Sequence, residues 1–256
     1  MQNTERFSGR VGDYAQSRPG YPAETITLLE NETGLSTSAI IADIGSGTGI
    51  SSEMFLQYGC RVFGVEPNDE MRGAGEAMLQ GYPEFTSVRG SAEATGLDDN
   101  SVDYVVAAQA GHWFDVEVCR KEFARILRDD GWIVLMWNLR RLDTTPFLRA
   151  FEALLQQFGT DYGYVKQHTA EESRIRRLFA DDELIHRALP NAQHHDREGF
   201  IGRIRSMSYT PAPDQPGFAA LMDAAHRIFD EYEQEGVVTV EYSTDIYFGR
   251  PIAREQ

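Results

Sequence analysis

The chain has 256 residues, of which 41% are hydrophobic and 25% are charged, a composition typical of a folded globular protein and not of a disordered one. Its net charge of −16 repels the phosphates of a nucleic acid, so we expect no nucleic-acid partner. The first ten residues are polar and no run of eighteen apolar residues occurs, so we expect neither a signal peptide nor a membrane partner, and we predict a cytoplasmic location.

Short apolar runs alternate with helical patterns between residues 39 and 138. This is the spacing of consecutive βα units, which build a mostly parallel sheet with helices on both faces. The predicted strands are 39–44, 61–66, 86–89, 102–109 and 132–138. The predicted helices between them are 50–58, 68–80 and 116–128, the last of these units ending at Gly131.

The pattern is less regular downstream of these units. In chain order we predict a helix over 144–158, short helices over 171–179 and 197–207, a strand near 184–189, a helix over 216–235 and a long strand over 237–248. Residues 159–213 are interpreted as partly a cap on the substrate side. The fold class is therefore α/β, a single domain over 1–256 with a doubly wound sheet and a small cap.

A glycine-rich loop follows the first strand and leads directly into a helix. It reads Asp43-Ile44-Gly45-Ser46-Gly47-Thr48-Gly49, and such glycines let the backbone approach a ligand at a helix N-terminus. The dinucleotide fingerprint is G-x-G-x-x-G, whereas this loop reads G-x-G-x-G. Asp43 suits an ammonium better than a phosphate, which favours S-adenosylmethionine over a dinucleotide. The alternative is that Asp43 only pins the turn by accepting backbone N–H groups.

An acidic residue, Glu66, ends the next strand about twenty residues after the glycines. That position suits hydrogen bonds to the two hydroxyls of a ribose, although an exposed helix-capping acid would look the same. Gly90-Ser91-Ala92-Glu93 follows the third strand, and its small residues leave room for a flat ring. Both features indicate a nucleoside without choosing between cofactors.

As an ordered set, these residues resemble the class I S-adenosylmethionine-dependent methyltransferases, in particular the small-molecule (methyltransferase type 11) group that includes the trans-aconitate methyltransferases. The matching segments are 43–49, 65–67 with Met71, 90–93, 97–103 and 122–132. The resemblance implies a seven-stranded sheet whose last strand, here 237–248, is antiparallel. It covers about the first 140 residues, with 30–140 as the cofactor-binding core.

The resemblance also implies which residues bind the cofactor. The glycines would pack against its methionine part, Glu66 would hold the ribose, Met71 would pack on adenine and Glu93 would border the adenine edge. The full predicted set is Tyr14, Arg18, Asp43, Gly45, Ser46, Gly47, Thr48, Gly49, Glu66, Pro67, Met71, Ser91, Ala92, Glu93, Gln109 and Ala110.

Two further segments resemble parts of this family that contact substrate. The N-terminal segment 1–25 is predicted to be a lid carrying Tyr14, Arg18 and Tyr21, with an exposed N-terminal arm as the alternative. Gly111-His112-Trp113-Phe114-Asp115 follows the fourth strand and predicts substrate contacts by His112 and Trp113. Gly111 replaces an alanine of the family, which predicts a looser backbone.

We therefore predict an enzyme that transfers a methyl group to a small-molecule acceptor by in-line displacement. His112 is the candidate base because its intrinsic pKa lies near neutrality; it could equally be a shape or hydrogen-bonding residue. Gln109-Ala110-Gly111-His112 stands where nucleic-acid amino-methyltransferases carry an Asn/Asp-Pro-Pro-aromatic clamp. A non-catalytic S-adenosylmethionine-binding protein and an NAD(P)-dependent oxidoreductase are the alternatives, and the acceptor atom and oligomeric state stay open.

Other candidate sites are weaker. Arg140-Arg141 and Arg174 with Arg176-Arg177 could form a small basic patch, although such groups more often lie on a solvated face. His194-His195 has no third ligand at a plausible spacing, and the two cysteines form no C-x-x-C motif. We therefore predict no metal site.

Overall fold

A computed structural model describes residues 18–160, 172–180, 184–207 and 209–251, with the side chains of 172 and 173 excepted. Its centre is a seven-stranded sheet in the order β3-β2-β1-β4-β5-β7-β6. The strands are β1 Ile40–Ile44, β2 Arg61–Val65, β3 Phe85–Val88, β4 Val102–Ala108, β5 Leu127–Arg140, β6 Ile185–His195 and β7 Val238–Gly249.

Strands β1 to β5 pair in parallel, and β7 pairs antiparallel with both β5 and β6. The predicted seven-stranded sheet with an antiparallel last strand is confirmed. Because the carboxyl ends of the parallel strands share one edge of the sheet, the loops after β1, β2 and β4 meet there.

The helices connect the strands in the predicted alternation. They are α1 Glu24–Thr33, α2 Ile50–Tyr58, α3 Asp69–Met78, α4 Val116–Ile126, α5 Pro146–Phe158, α6 Glu172–Ile175, α7 Arg197–Arg205 and α8 Phe218–Tyr232, with single 3-10 turns at Gly111–Trp113 and Arg176–Leu178. Side-chain caps start several of them: Asn68 accepts from two N–H groups of α3, and Asp115 and Asp196 cap α4 and α7. None of the helices within the described ranges has the length and apolar character to cross a bilayer.

Alternate side chains of β1 point to opposite faces of the sheet, and each face has its own core. Ile41 packs with α1 and α2 on one face, and Ile44 packs with α4 on the other. A third core lies farther along the sheet, where α5, α7 and α8 bury aromatic rings such as Phe151 and Phe200 against Val240 of β7. The sheet therefore carries a second layer of helices at its β7–β6 end.

Three elements differ from the sequence prediction. Helix α1 was not predicted. Strand β5 begins at Leu127, directly after α4, and its pairing with β4 is irregular between Val102 and Tyr104. Gly131, predicted to end the preceding βα unit, therefore lies inside this irregularity of β5. A Cβ there would lie 2.6 Å from a methyl group of Leu127, so the site favours glycine.

The predicted strand near 184–189 is longer than expected and continues to His195. It is an edge strand of the main sheet, hydrogen-bonded to β7 along its whole length. Of the predicted cap over 159–213, the described residues 185–195 are thus part of the sheet and α7 packs in the core beside β7, while a role on the substrate side stays a prediction.

Candidate functional site

The glycine loop is held close to its neighbours by backbone geometry that requires glycine. Gly45, Gly47 and Gly49 all have positive φ angles, of 71°, 58° and 91°. A Cβ on Gly45 would lie 2.7 Å from the Cβ of Ala110, and one on Gly49 would lie 2.6 Å from Leu79. The loop therefore packs against the loop after β4, and α2 starts at Gly49 without a side-chain cap.

Asp43 is fully buried at the end of β1, beneath this loop. Its Oδ2 accepts hydrogen bonds from the hydroxyls of Ser51 and Ser52 at 2.7 and 2.6 Å. Its Oδ1 is buried and makes no hydrogen bond within the described part of the chain. Burial raises the pKa of Asp43, and the serine hydrogen bonds oppose that shift. A cation placed beside Oδ1 would stabilise the ionised form.

Glu66 lies directly after β2 and is 8% exposed. Its Oε2 accepts from the backbone N–H of Gly47 at 3.0 Å, and its Oε1 accepts from the N–H of Asn68 at 2.8 Å. Burial raises its pKa, while these two N–H groups act in the opposite direction. Glu66 is therefore fixed against the glycine loop, with lone pairs left to accept from hydroxyl groups.

Helix α3 closes the other side of the glycine loop. A Cβ on Gly75 would lie 3.0 Å from the carbonyl oxygen of Gly47, and a Cβ on Gly47 would lie 3.3 Å from the Cε of Met71. Sequence reasoning found Met71 through the family resemblance but missed Gly75. A glycine on the buried face of a helix next to a glycine loop is the signal that could have found it.

Glu93 joins two predicted parts of the site. Its Oε1 accepts from the backbone N–H of Asp115 at 3.1 Å and contacts the Cys119 thiol at 3.6 Å. Ser91 bridges to Ala94, and Ala92 is buried in the core between them. The predicted adenine-edge segment is thus bonded to the loop that follows β4.

Gln109 ends β4 with a φ of 60°. This left-handed conformation is rare for a residue with a side chain, and it is fixed by hydrogen bonds from its N–H to Met136 at 2.9 Å and from its Nε2 to the Asn138 carbonyl at 3.4 Å. Strained backbone of this kind is found at ligand sites. It supports the prediction for Gln109, which stays a prediction.

His112 and Trp113 form a 3-10 turn directly after Ala110, with their ring centroids 4.5 Å apart. Both side chains are partly exposed. The sequence suggested that Gly111 would loosen the backbone, but the structure gives this glycine a role in packing instead. A Cβ there would lie 3.0 Å from the buried ring of Trp137, so glycine is needed for close packing.

The described N-terminal residues lie across the carboxyl ends of β5 and β6. The carbonyls of Pro19 and Gly20 accept from the Asn138 amide at 3.3 and 3.1 Å, and Gly20 also accepts from Asn191 at 2.9 Å. Thr244 completes this group with a hydrogen bond of 2.5 Å to Asn138. Sequence reasoning missed these three polar residues, because they come from three distant strands.

The N-terminal residues predicted to bind cofactor or substrate do not lie together at the glycine loop. Arg18 donates to the Ser206 carbonyl at 3.2 Å, and Tyr21 packs on the core beside α1 and α2. Tyr14 lies outside the described residues. The structure thus brings Asp43, Glu66, Met71 and Ala110 around the glycine loop, whereas Arg18 contacts the end of α7.

The arginines that could have formed a basic patch are mostly bonded to other groups. Arg140 is nearly buried and pairs with Glu152 at 2.5 Å, Arg174 donates to backbone carbonyls, and the exposed Arg177 pairs with Glu117 at 3.0 Å. Of the histidine pair, His194 lies within 3.0 Å of the Thr239 hydroxyl and His195 is buried. Among the described residues, no three His, Cys, Asp or Glu side chains come together as a metal site.

Comparison with known proteins agrees with this geometry. Residues 42–135 match the family model of a methyltransferase domain. The chain is 39% identical over 134 residues to an uncharacterized methyltransferase of Mycobacterium tuberculosis, covering 52% of each protein. It is 31% identical over 156 residues to an uncharacterized methyltransferase-like protein of Schizosaccharomyces pombe, covering 60% of this chain and 59% of that one. The chain spans about half the length of the curated relatives it matches.

Solved structures show the same fold. A candidate type II methyltransferase from Anaeromyxobacter dehalogenans superposes with a TM-score of 0.70 at 23% identity, covering 93% of this chain and 99% of that chain. Geranyl diphosphate methyltransferase in complex with S-adenosylmethionine superposes with a TM-score of 0.51 at 15% identity, covering 90% and 85%.

The chain therefore shares its fold with solved methyltransferase structures. Residues 42–135 thus match a methyltransferase domain; the class I family and the S-adenosylmethionine cofactor predicted from the sequence stay proposals for this chain.

Proposed function

We propose that this protein is an active methyltransferase that transfers the methyl group of S-adenosylmethionine to a small molecule. The observation that carries the proposal is the pair of buried carboxylates at the glycine loop, Asp43 and Glu66. Asp43 keeps a buried oxygen that makes no hydrogen bond within the described residues, and a buried polar atom of this kind needs a partner.

The residues present fit the cofactor's chemistry. Asp43 would face the ammonium of the methionine part, and the hydroxyl of Thr48, also buried without a partner among the described residues, would add a polar contact. Glu66 would accept from the ribose hydroxyls, while Met71 and Ala92 would provide the apolar surface for adenine. The site offers carboxylates and no cluster of cations, which suits a cofactor with positive charge and no phosphate.

When bound, S-adenosylmethionine supplies an electrophilic methyl on a good leaving group, so in-line displacement needs positioning more than a catalytic residue. The protein's part is to orient the acceptor and to hold its proton where one must leave. His112 is the proposed group for that proton, since it sits on the loop after β4 beside Trp113. For an acceptor that is already an anion, His112 would act only through shape and hydrogen bonding.

Small-molecule acceptors are favoured by charge. The chain is acidic, and Arg140, Arg174 and Arg177 each bond to groups of the chain itself, which weakens any attraction for a polyphosphate. Tyr21, His112 and Trp113 are proposed as acceptor contacts. The cytoplasmic location stays a prediction.

Calorimetry tests the cofactor site first. We expect micromolar binding of S-adenosylmethionine and no binding of NAD(H); the reverse would contradict the proposal and favour the oxidoreductase alternative. A metabolite screen scored by release of S-adenosylhomocysteine then separates an enzyme from a non-catalytic binding protein, which would bind the cofactor without turnover.

Once an acceptor is found, His112→Ala tests the base. A general base contributes about 10² to 10⁴-fold, so kcat should fall by that factor while the affinity for S-adenosylmethionine is kept. A loss below tenfold at saturating acceptor would assign His112 a contact role only.

A further inference from the structure

Arg174 holds the loop that carries His112. Its Nη1 donates to the backbone carbonyl of His112 at 2.9 Å, and its Nη2 donates to the carbonyl of Phe114. The arginine comes 62 residues after His112 in the chain. One planar guanidinium thus binds two carbonyls of the same short turn, which fixes their relative orientation.

The segment around Arg174 is rigidly seated. Ile175, Leu178 and Phe179 are buried in the core beneath α4, and Phe179 also forms a β-bridge to Pro251. The N–H of Ala180 donates to the Arg250 carbonyl at 2.9 Å. The residues that follow Arg174 pack beneath α4 and bond to the segment after β7. Arg174 therefore reaches the loop from a well-packed segment.

The same loop is bonded on its opposite side by Glu93. Glu93 Oε1 accepts from the N–H of Asp115 at 3.1 Å, and Gly111 rests on the ring of Trp137. Residues 111–115 are therefore contacted by three side chains: Glu93, Trp137 of β5 and Arg174. Among these, Arg174 contacts the part of the loop that carries the proposed acceptor residues.

We propose that Arg174 is a positioning residue for the acceptor site. It fixes the backbone of 111–115 so that the rings of His112 and Trp113 face the acceptor, and it acts through that loop without contacting cofactor. This inference rests on the proposed function. It predicts an effect on the acceptor that is separable from any effect on S-adenosylmethionine, because Asp43 and Glu66 lie on other elements.

The test compares R174Q with R177Q. Arg177 lies on the same segment, but it forms an exposed ion pair with Glu117, so R177Q controls for loss of a charge there. R174K is the conservative variant, since a lysine can reach one of the two carbonyls. Each variant is measured by calorimetry with S-adenosylmethionine, by hydrogen exchange of peptides spanning 109–116, and by turnover with the acceptor found in the screen.

For R174Q we expect cofactor affinity within about threefold of the wild type, because the glycine-loop contacts are kept. Exchange should be faster in 109–116 than in R177Q, and kcat/KM for the acceptor should fall about 10²-fold, as for a misplacement of about 1 Å. R174K should lie between R174Q and the wild type, and R177Q should match the wild type.

The inference is overturned if R174Q exchanges like the wild type over 109–116, or if its acceptor turnover falls only as much as its cofactor affinity. If R174Q does not fold, R174K decides by the same two readouts. A wild type that binds no S-adenosylmethionine would end the proposed function instead, and the exchange measurement would still report whether Arg174 orders the loop.

Discussion

Two regions of the described structure bury ionisable side chains, and the two regions treat them differently. At the glycine loop the buried groups are acids, Asp43 and Glu66. Between β5, β7 and the helices α5 and α7, Arg203 and His195 are buried and the side chain of Arg140 is only 9% exposed.

In the second region the protein supplies partners for the two arginines, while the Nε2 of His195 is buried without a hydrogen bond among the described residues. Arg140 pairs with Glu152 and lies over the ring of Phe151, and the Nε of Arg203 donates to the Tyr242 hydroxyl at 3.4 Å. At the glycine loop, no Lys, Arg or His of the described residues pairs with Asp43. Because burying a charge is costly unless it is paired, we interpret the first region as a ligand site and the second as part of the fold.

Arg140→Met should give the largest change and should act on the fold alone. It removes the arginine that pairs with the nearly buried Glu152, and breaking such a pair costs about 3 to 5 kcal/mol of unfolding free energy. Urea unfolding measures this loss, and the affinity for S-adenosylmethionine should be unchanged. The double variant Arg140→Met with Glu152→Leu should recover most of the stability; a single variant as stable as the wild type would remove the distinction between the regions.

His195 should make the second region sensitive to acid. Burial, with the nearby Arg203 charge, lowers the pKa of His195 to about 4 from its usual 6.5. The folded state therefore holds the neutral ring. The contribution of His195 to the unfolding free energy is fully present above pH 6.5 and is lost as the pH drops from 6.5 towards 4, by up to about 3 kcal/mol.

His195→Gln should remove that part of the pH dependence, measured as unfolding free energy between pH 7 and pH 4. His194→Gln, at the exposed neighbouring position, is the matched control and should titrate like the wild type. Equal pH profiles for wild type and His195→Gln would contradict the prediction.

Asp43→Asn should separate binding from stability in the first region. Hydrogen bonds to charged groups contribute about 1.5 to 3 kcal/mol, so the affinity for S-adenosylmethionine should fall about 10 to 150-fold in calorimetry. Burial raises the pKa of Asp43 in the folded state, so ionisation of this carboxyl lowers the unfolding free energy as the pH rises. The uncharged amide of the asparagine variant removes that loss. We therefore expect thermal unfolding at pH 7 at the same or a higher temperature. A loss of both affinity and stability would assign Asp43 to the turn, which was the alternative interpretation.

The two glycines of α3 give the smallest and sharpest contrast. A Cβ at Gly73 meets nothing within 4 Å, whereas one at Gly75 meets the carbonyl of Gly47 at 3.0 Å. Gly73→Ala should stabilise the protein by up to about 1 kcal/mol through helix propensity alone, with unchanged cofactor affinity. Gly75→Ala should push on the glycine loop and weaken cofactor binding several-fold. Equal affinities for the two variants would show that α3 does not shape the site.

The elements that the sequence predicted best are those with local signals. Alternating apolar runs located every strand of the sheet, and the spacing of Gly45, Gly47 and Gly49 identified the loop and its ligand class, because positive φ angles and close approach demand glycine at fixed positions. Helix α1 was missed, and β6 was cut short at residue 189. Sequence alone did not show that β6 would pair with β7 along its whole length.

What only the tertiary structure decided is how distant residues meet. Three contacts join segments that are far apart in the chain. Gly75 of α3 packs against the glycine loop, Asn138 bonds to Asn191 and Thr244, and Arg174 bonds to the carbonyls of His112 and Phe114. No period or spacing encodes such contacts, because they depend on which strands become neighbours and how the helices lie on them. The sequence by itself determined the class of fold and predicted the kind of cofactor; packing decided which side chains surround the glycine loop and which arginine anchors the loop after β4.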